Sequence, residues 1–123
     1  MVYLIIGIGG FLGANTRYLL GGWIMARYGT SFPYVTMVIN VSGSFVIGFF
    51  LVLISERFIV HPNWRLFFAI GFLGAYTTFS MFSFETFSLI EQRSLLMALI
   101  NMVGSVLLGQ LAVMTGMLLA RML

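Results

Sequence analysis

Arginine and glutamate are placed along this chain so that they leave long stretches almost free of charge. Residues 1–16 carry none, and the run resumes after Arg17 over 18–26. Residues 28–55, 66–84 and 94–120 are likewise uncharged. A helix that crosses a bilayer needs roughly 20 predominantly apolar residues. The pattern predicts four transmembrane helices at about 3–26, 34–55, 65–91 and 95–120. They consume nearly the whole chain, so residues 1–123 read as a single transmembrane domain with no soluble part. The first stretch lacks a basic leader and outruns the apolar core of a cleaved signal peptide. Strict polar/apolar alternation, the mark of barrel strands, is absent.

Composition sharpens this reading. The chain is 61% hydrophobic and 7% charged, with six arginines, three glutamates and a net charge of +3. Soluble domains carry about a quarter charged residues, so a soluble enzyme and a disordered chain are both excluded. There is no cysteine, hence no disulfide or thiolate metal site. The few arginines form no basic run, and nucleic-acid binding has no support. One histidine, His61, beside Pro62 in a connection, does not make a metal site.

Charge also bears on orientation. The N-terminus, second connection and C-terminus share one side and carry Arg57, Arg65 and Arg121; the other side carries Arg27 and Arg93. Three against two is almost no bias under the positive-inside rule. Two readings stand: a fixed topology set by other factors, or dual insertion with oppositely oriented copies pairing in the membrane. Four packed helices leave little room for an aqueous path. A transport role in so small a chain therefore points to a homodimer with its working site near the interface.

Polar groups inside the spans are the functional candidates, because they are costly at membrane depth without a partner or water. Arg17 lies 16 residues into the chain. It either reaches an interface or is buried with a partner, where its charge would concentrate anions. Asn40 lies deep in the second span, as an interhelical tie or as a donor to a permeating anion. The third span holds two glycines, two threonines and two serines across residues 71–83. Such a run weakens the helical ladder, giving either a kinked helix or a break that frees carbonyls for a cation. Phe79 and Phe82 share a helix face with Ser83 and Thr86. They are either ordinary packing or ring edges, positively polarised, turned toward a small anion. Glu85 near the end of that span either pairs with an arginine or faces water. Asn101 and Ser105 sit one turn apart in the fourth span, with Gln110 roughly opposite. Glycines at 7, 10 and 21 line a face of the first span with Ala14 and Arg17, and Gly9 and Gly13 form a separate GxxxG.

Three stretches, residues 10–18, 36–48 and 71–85, carry a resemblance along essentially the whole chain. The most specific is Thr-Thr-Phe-Ser-x-Phe-Ser-x-Glu after a glycine-rich turn. The chain resembles the CrcB/Fluc family of fluoride ion channels. The resemblance implies an all-α integral membrane protein of the inner (plasma) membrane, with the third helix broken mid-membrane, acting as an antiparallel dual-topology homodimer with two fluoride pathways. It implies a passive fluoride channel and not an enzyme. Phe79 and Phe82 match the pore phenylalanines and Asn40 the pore asparagine; Ser80 and Ser105 fall on the polar lining, and Arg17 on the first-helix arginine. It further implies a structural sodium ion at the dimer centre, held by main-chain oxygens of Gly74 and Thr77. Ala75 stands where many members have glycine, Met81 replaces a common threonine, and Gly109 falls where serine is common unless a one-residue shift brings Gln110 there. Two other functions compete: a small dual-topology drug/proton antiporter, which would want a carboxylate near the membrane centre, and a non-transporting assembly subunit.

Overall fold

Each uncharged stretch is helical in the computed structural model, which describes residues Met1–Leu123. Helix α1 is Val2–Tyr28, and α2 is Tyr34–Val52, running on as a π-helical turn, Leu53–Arg57. The third span has two parts. Its first, α3, is π-helical over Arg65–Leu73 and ends in one α-helical turn, Gly74–Tyr76. Its second, α4, is Ser80–Glu91, and α5 is Leu95–Arg121. No strand forms.

Local chemistry sets the helix ends. Gly29 adopts φ 78°, the left-handed region open to glycine, and its N–H closes α1 on the Met25 carbonyl. Pro33 precedes α2 with φ −76°, near the only value its ring allows. At the α4–α5 turn Arg93 takes φ 61°, and the Ser94 N–H reaches the Leu89 carbonyl at 2.9 Å.

Three segments are long and apolar enough to cross a membrane: Tyr34–Arg57, Arg65–Glu91 and Leu95–Arg121. The first helix, expected as a fourth, has the length at 27 residues but not the hydropathy. Six glycines and the Asn15-Thr16-Arg17 run dilute it.

Helix α1 lies along α3, α2 lies chiefly along α5, and α4 rests on α5. Glycine lets the backbones meet. A Cβ at Gly9 would stand 2.1 Å from the Phe67 carbonyl oxygen, and one at Gly13 2.1 Å from that of Phe72. Between α2 and α5, a Cβ at Gly116 would stand 2.3 Å from the Phe45 oxygen. Helix association in lipid relies on such approach, since lipid removes the hydrophobic drive between helices. Ile39, Leu73 and Tyr76 form the buried centre.

Only 19 of 123 residues are buried, and large apolar side chains such as Phe11, Phe87 and Leu107 point outward. That surface is suited to acyl chains and not to water. Hydroxyls on it satisfy themselves: Thr16 donates to the Leu12 carbonyl and Thr115 to that of Leu111, each at 2.7 Å. At one end of the bundle Arg121 grips Glu56 through two bonds, of 3.2 and 3.1 Å, joining the tail of α5 to the π-helical turn after α2.

Candidate functional site

Between Tyr76 and Ser80 the chain is not helical. Thr77 is extended, with φ −85° and ψ 159°, and Thr77, Thr78 and Phe79 stand outside the flanking helices. Helical bonding resumes when the Ser83 N–H reaches the Phe79 carbonyl at 2.9 Å. The carbonyls of Gly74, Ala75, Tyr76 and Thr77 receive no backbone N–H, because the residues that would donate have turned away. The Thr78 N–H is one of these. It goes instead to Asn40 Oδ1 at 2.8 Å.

Helix α2 cradles this segment. Asn40 forms a two-bond pair with the main chain of Thr78: its Oδ1 accepts from the N–H, and its Nδ2 donates to the carbonyl, each at 2.8 Å. The pairing fixes which way the amide points. The second N–H of Asn40 has no acceptor in the chain. Two residues on, Ser42 Oγ lies 2.9 Å from the Tyr76 hydroxyl and donates to the Ile39 carbonyl at 3.0 Å. With that proton committed, the Tyr76 hydroxyl is the donor to Ser42. Gly43 leaves space for Thr77: a Cβ there would stand 2.3 Å from Thr77 Cγ2. The Tyr76 ring is stacked on Phe72, with centroids 6.0 Å apart, and Phe72 on Phe68 at 5.3 Å, a ring stack that runs along α3 itself.

Two recesses border the segment. One, of about 200 Å³, is bounded by Asn40, Gly43, Ser44, Leu73, Gly74 and Thr77. A larger one, of about 670 Å³, includes Ala14, Arg17, Thr36, Ile39, Thr78 and Met81. Asn40, Gly74, Thr77 and, by way of Thr78, Arg17 are thus brought into one neighbourhood. Arg17 is half-buried and forms no ion pair within the chain. Its charge is left to act on the recess, where an anion would feel it. Glu85 has no arginine partner; Thr36, one turn before Asn40, donates its hydroxyl to the carboxylate.

Phe79 and Phe82 follow at once. Their ring centroids are 5.8 Å apart, tilted by 47°. Phe79 is 77% exposed and Phe82 half-buried, so within one chain the Phe79 ring has little to pack against. Ser80 is exposed, with its hydroxyl 3.4 Å from that of Thr78. Ser105 lies apart on α5, joined to Asn101 at 3.4 Å. Thr86, one turn after Phe82, donates its hydroxyl to the Phe82 carbonyl and is buried against α5, where Asn101 donates to it.

Sequence reasoning passed over Thr36, Ser42, Gly43 as a space for Thr77, and Tyr76. A signal existed for Thr36. It sits four residues before Asn40, on the same side of α2, and a threonine facing inward needs a partner just as an asparagine does. Ser42 and Tyr76 offered none, because either alone reads as ordinary packing.

The family model described as "CrcB-like protein, Camphor Resistance (CrcB)" matches residues 4–117. The chain is 50% identical over 121 residues to the "Fluoride-specific ion channel FluC" of Solibacter usitatus, covering 98% of this chain and 99% of that one. A protein of the same description from Sulfurihydrogenibium sp. is 43% identical over 121 residues, covering 98% of each chain. One from a Synechococcus strain is 44% identical over 117 residues, covering 95% of this chain and 90% of that one.

Proposed function

The chain belongs to the CrcB family, a family of fluoride channels and not of enzymes, and from that premise we propose that this multi-pass membrane protein is a passive, fluoride-selective channel of the inner (plasma) membrane. Two copies, oppositely inserted, pair as an antiparallel homodimer with two pathways. The observation that carries the reading is the Asn40–Thr78 pair at the non-helical segment beside the two phenylalanines. It gathers anion-friendly groups at one place.

Fluoride is small and strongly hydrated, so a pathway must replace its water with donors. The free N–H of Asn40 and the hydroxyl of Ser80 supply donors, while Ser105, whose proton rests on Asn101, adds polar lining. The edges of Phe79 and Phe82 supply weaker positive potential. None of these would trap the ion as a full charge would. Arg17, unpaired in its recess, raises the anion concentration at the approach. Direction comes from the membrane. Hydrogen fluoride crosses lipid uncharged and dissociates in a near-neutral cytoplasm, leaving fluoride behind. A negative interior then drives it out with about 2.3 kcal/mol per charge per 100 mV.

The break in the third span, which we place mid-membrane, also fits the family's sodium ion. Carbonyl oxygens suit a hard cation, and those of Gly74 and Thr77 lack backbone donors. These two would hold the ion at the dimer centre, where its charge would tie the freed carbonyls of both copies together. Replacing sodium with a bulky organic cation during purification is expected to shift the protein from dimer toward monomer by light scattering. An unchanged mass would remove Gly74 and Thr77 from that role.

Purified protein in liposomes, read with a fluoride electrode, tests the function. Potential-driven fluoride efflux without chloride efflux is expected. Flux that requires a proton gradient and an organic cation would mean an antiporter, and no flux an assembly subunit. Phe82→Ile removes a ring edge and keeps bulk. It is expected to cut fluoride flux roughly tenfold or more, the equivalent of about 1.4 kcal/mol at the barrier, with assembly intact. Unchanged flux would take Phe82 out of the pathway.

A further inference from the structure

We propose that Asn101 is a positioning residue for permeation, acting through Thr86 on the main chain of Phe82 to set where that ring stands. The inference rests on the fluoride-channel reading above. It starts from an anomaly of burial: Asn101 is 1% exposed, among the most completely enclosed side chains in the molecule, and it is an amide.

Its bonds explain the burial. Asn101 Nδ2 donates to Thr86 Oγ1 at 2.8 Å, and Thr86 Oγ1 donates to the Phe82 carbonyl at 2.8 Å. Ser105 Oγ donates to Asn101 Oδ1 at 3.4 Å. The direction of the chain is forced. Thr86 has one hydroxyl proton, and the Phe82 carbonyl can only accept it. The Thr86 oxygen must then receive from Asn101, which leaves Oδ1 of Asn101 facing Ser105. Every proton from Ser105 to Phe82 points the same way.

Placement gives the chain its effect. Helix α4 has only 12 residues and buries just Thr86 and Leu89, while α5 answers with Ala98 and Asn101. The amide–hydroxyl bond is therefore the directional part of a small contact. Apolar side chains would let α4 slide or roll on α5 at little cost. A buried amide does not, because any shift strands a donor and an acceptor away from water. Phe82 sits one turn before Thr86 on the same short helix, 5.8 Å from Phe79. Locking α4 to α5 fixes that ring pair relative to Ser105.

The experiment compares variants in liposomes for both flux and the fluoride-to-chloride permeability ratio. Thr86→Val keeps the shape and loses the hydroxyl. It is expected to lower fluoride flux roughly tenfold and to lower the permeability ratio, with an unchanged elution profile. Thr86→Ser, which keeps the hydroxyl, is expected to stay within about twofold of the unsubstituted protein. Asn101→Leu is expected to match Thr86→Val, and the double variant to be no worse than either alone, as for two members of one chain. If Asn101→Leu does not assemble, the Val and Ser pair at position 86 decides alone. A Thr86→Val channel with unchanged flux and ratio overturns the inference. So does one whose flux falls only with its assembly while the ratio holds, since the bond is then mere glue. Absence of fluoride flux in the unsubstituted protein would instead sink the channel reading, which keeps the two failures distinct.

Discussion

Asn40→Leu is expected to abolish fluoride flux and to disorder the segment around Thr78. Asn40 is the only side chain that bonds to the main chain of Thr78, and it bonds to both its N–H and its C=O. Leucine matches its bulk and offers neither a donor nor an acceptor. The Thr78 N–H and C=O would each lose a partner in a part-buried place, at about 1–3 kcal/mol apiece. Helix reformation could not repair this cheaply, because Gly43 and Thr77 are fitted to the extended backbone. The free amide proton that faces an anion would go as well. Asn40→Asp separates the two effects. It keeps an acceptor for the Thr78 N–H but sets a negative charge on the approach, so it should assemble better than the leucine variant yet conduct no better. Fluoride efflux from liposomes and size-exclusion profiles read the two effects. Normal efflux through the leucine variant would remove Asn40 from the mechanism.

The second large effect concerns folding. Gly13→Ala is expected to leave little folded protein. Alanine is the better helix former by about 1 kcal/mol, so helix propensity alone favours the change. Space opposes it: the new Cβ would lie 2.1 Å from the Phe72 carbonyl oxygen. An ordinary carbon–oxygen contact is about 3.3 Å or more, so α1 and α3 would have to part by roughly 1 Å. The obstacle is backbone and cannot rotate aside. Overpacking of this kind typically costs about 1–3 kcal/mol, occasionally more, and here it separates two helices along their contact. Gly22→Ala is the control. A Cβ there meets nothing within 4 Å, and the propensity gain should stand unopposed. Detergent-solubilised yield and thermal unfolding compare them. Equal stability of the two variants would mean that α1 and α3 are not held as close as described.

These cases show what the sequence could and could not convey. Span ends were legible, because charge is so costly in lipid that arginine and glutamate mark the borders by themselves. Helix α1 was harder: the same glycines that let it touch α3 lower its hydropathy, so one property hides the other. Asn40 drew attention as an isolated amide, but its partner lies 38 residues away and is a backbone group, which no side-chain pattern advertises. The same holds for Thr36 with Glu85 and for Asn101 with Thr86. Spacing assigns a residue to a face of its helix, not to the neighbour that face will meet. Thr86 shows the consequence. Read by its spacing it belonged beside Phe82, and its hydroxyl does bond the Phe82 carbonyl, but its meeting with Asn101 of α5 was not to be read from spacing.

The π-helical stretch Arg65–Leu73 has an outcome for how this span can change in length. There the bonds run five residues back, as when the Gly74 N–H reaches the Ala69 carbonyl. Such a stretch behaves as an α-helix that has absorbed a surplus residue locally. Deleting one residue inside it can be taken up by tightening to ordinary four-back bonds, so that everything after Gly74 keeps its bearing. The same deletion near the start of α5 has no such slack, and would swing Asn101 and Ser105 about 100° around the helix axis. A one-residue deletion is thus mechanically forgiven immediately upstream of the segment that can least tolerate being turned.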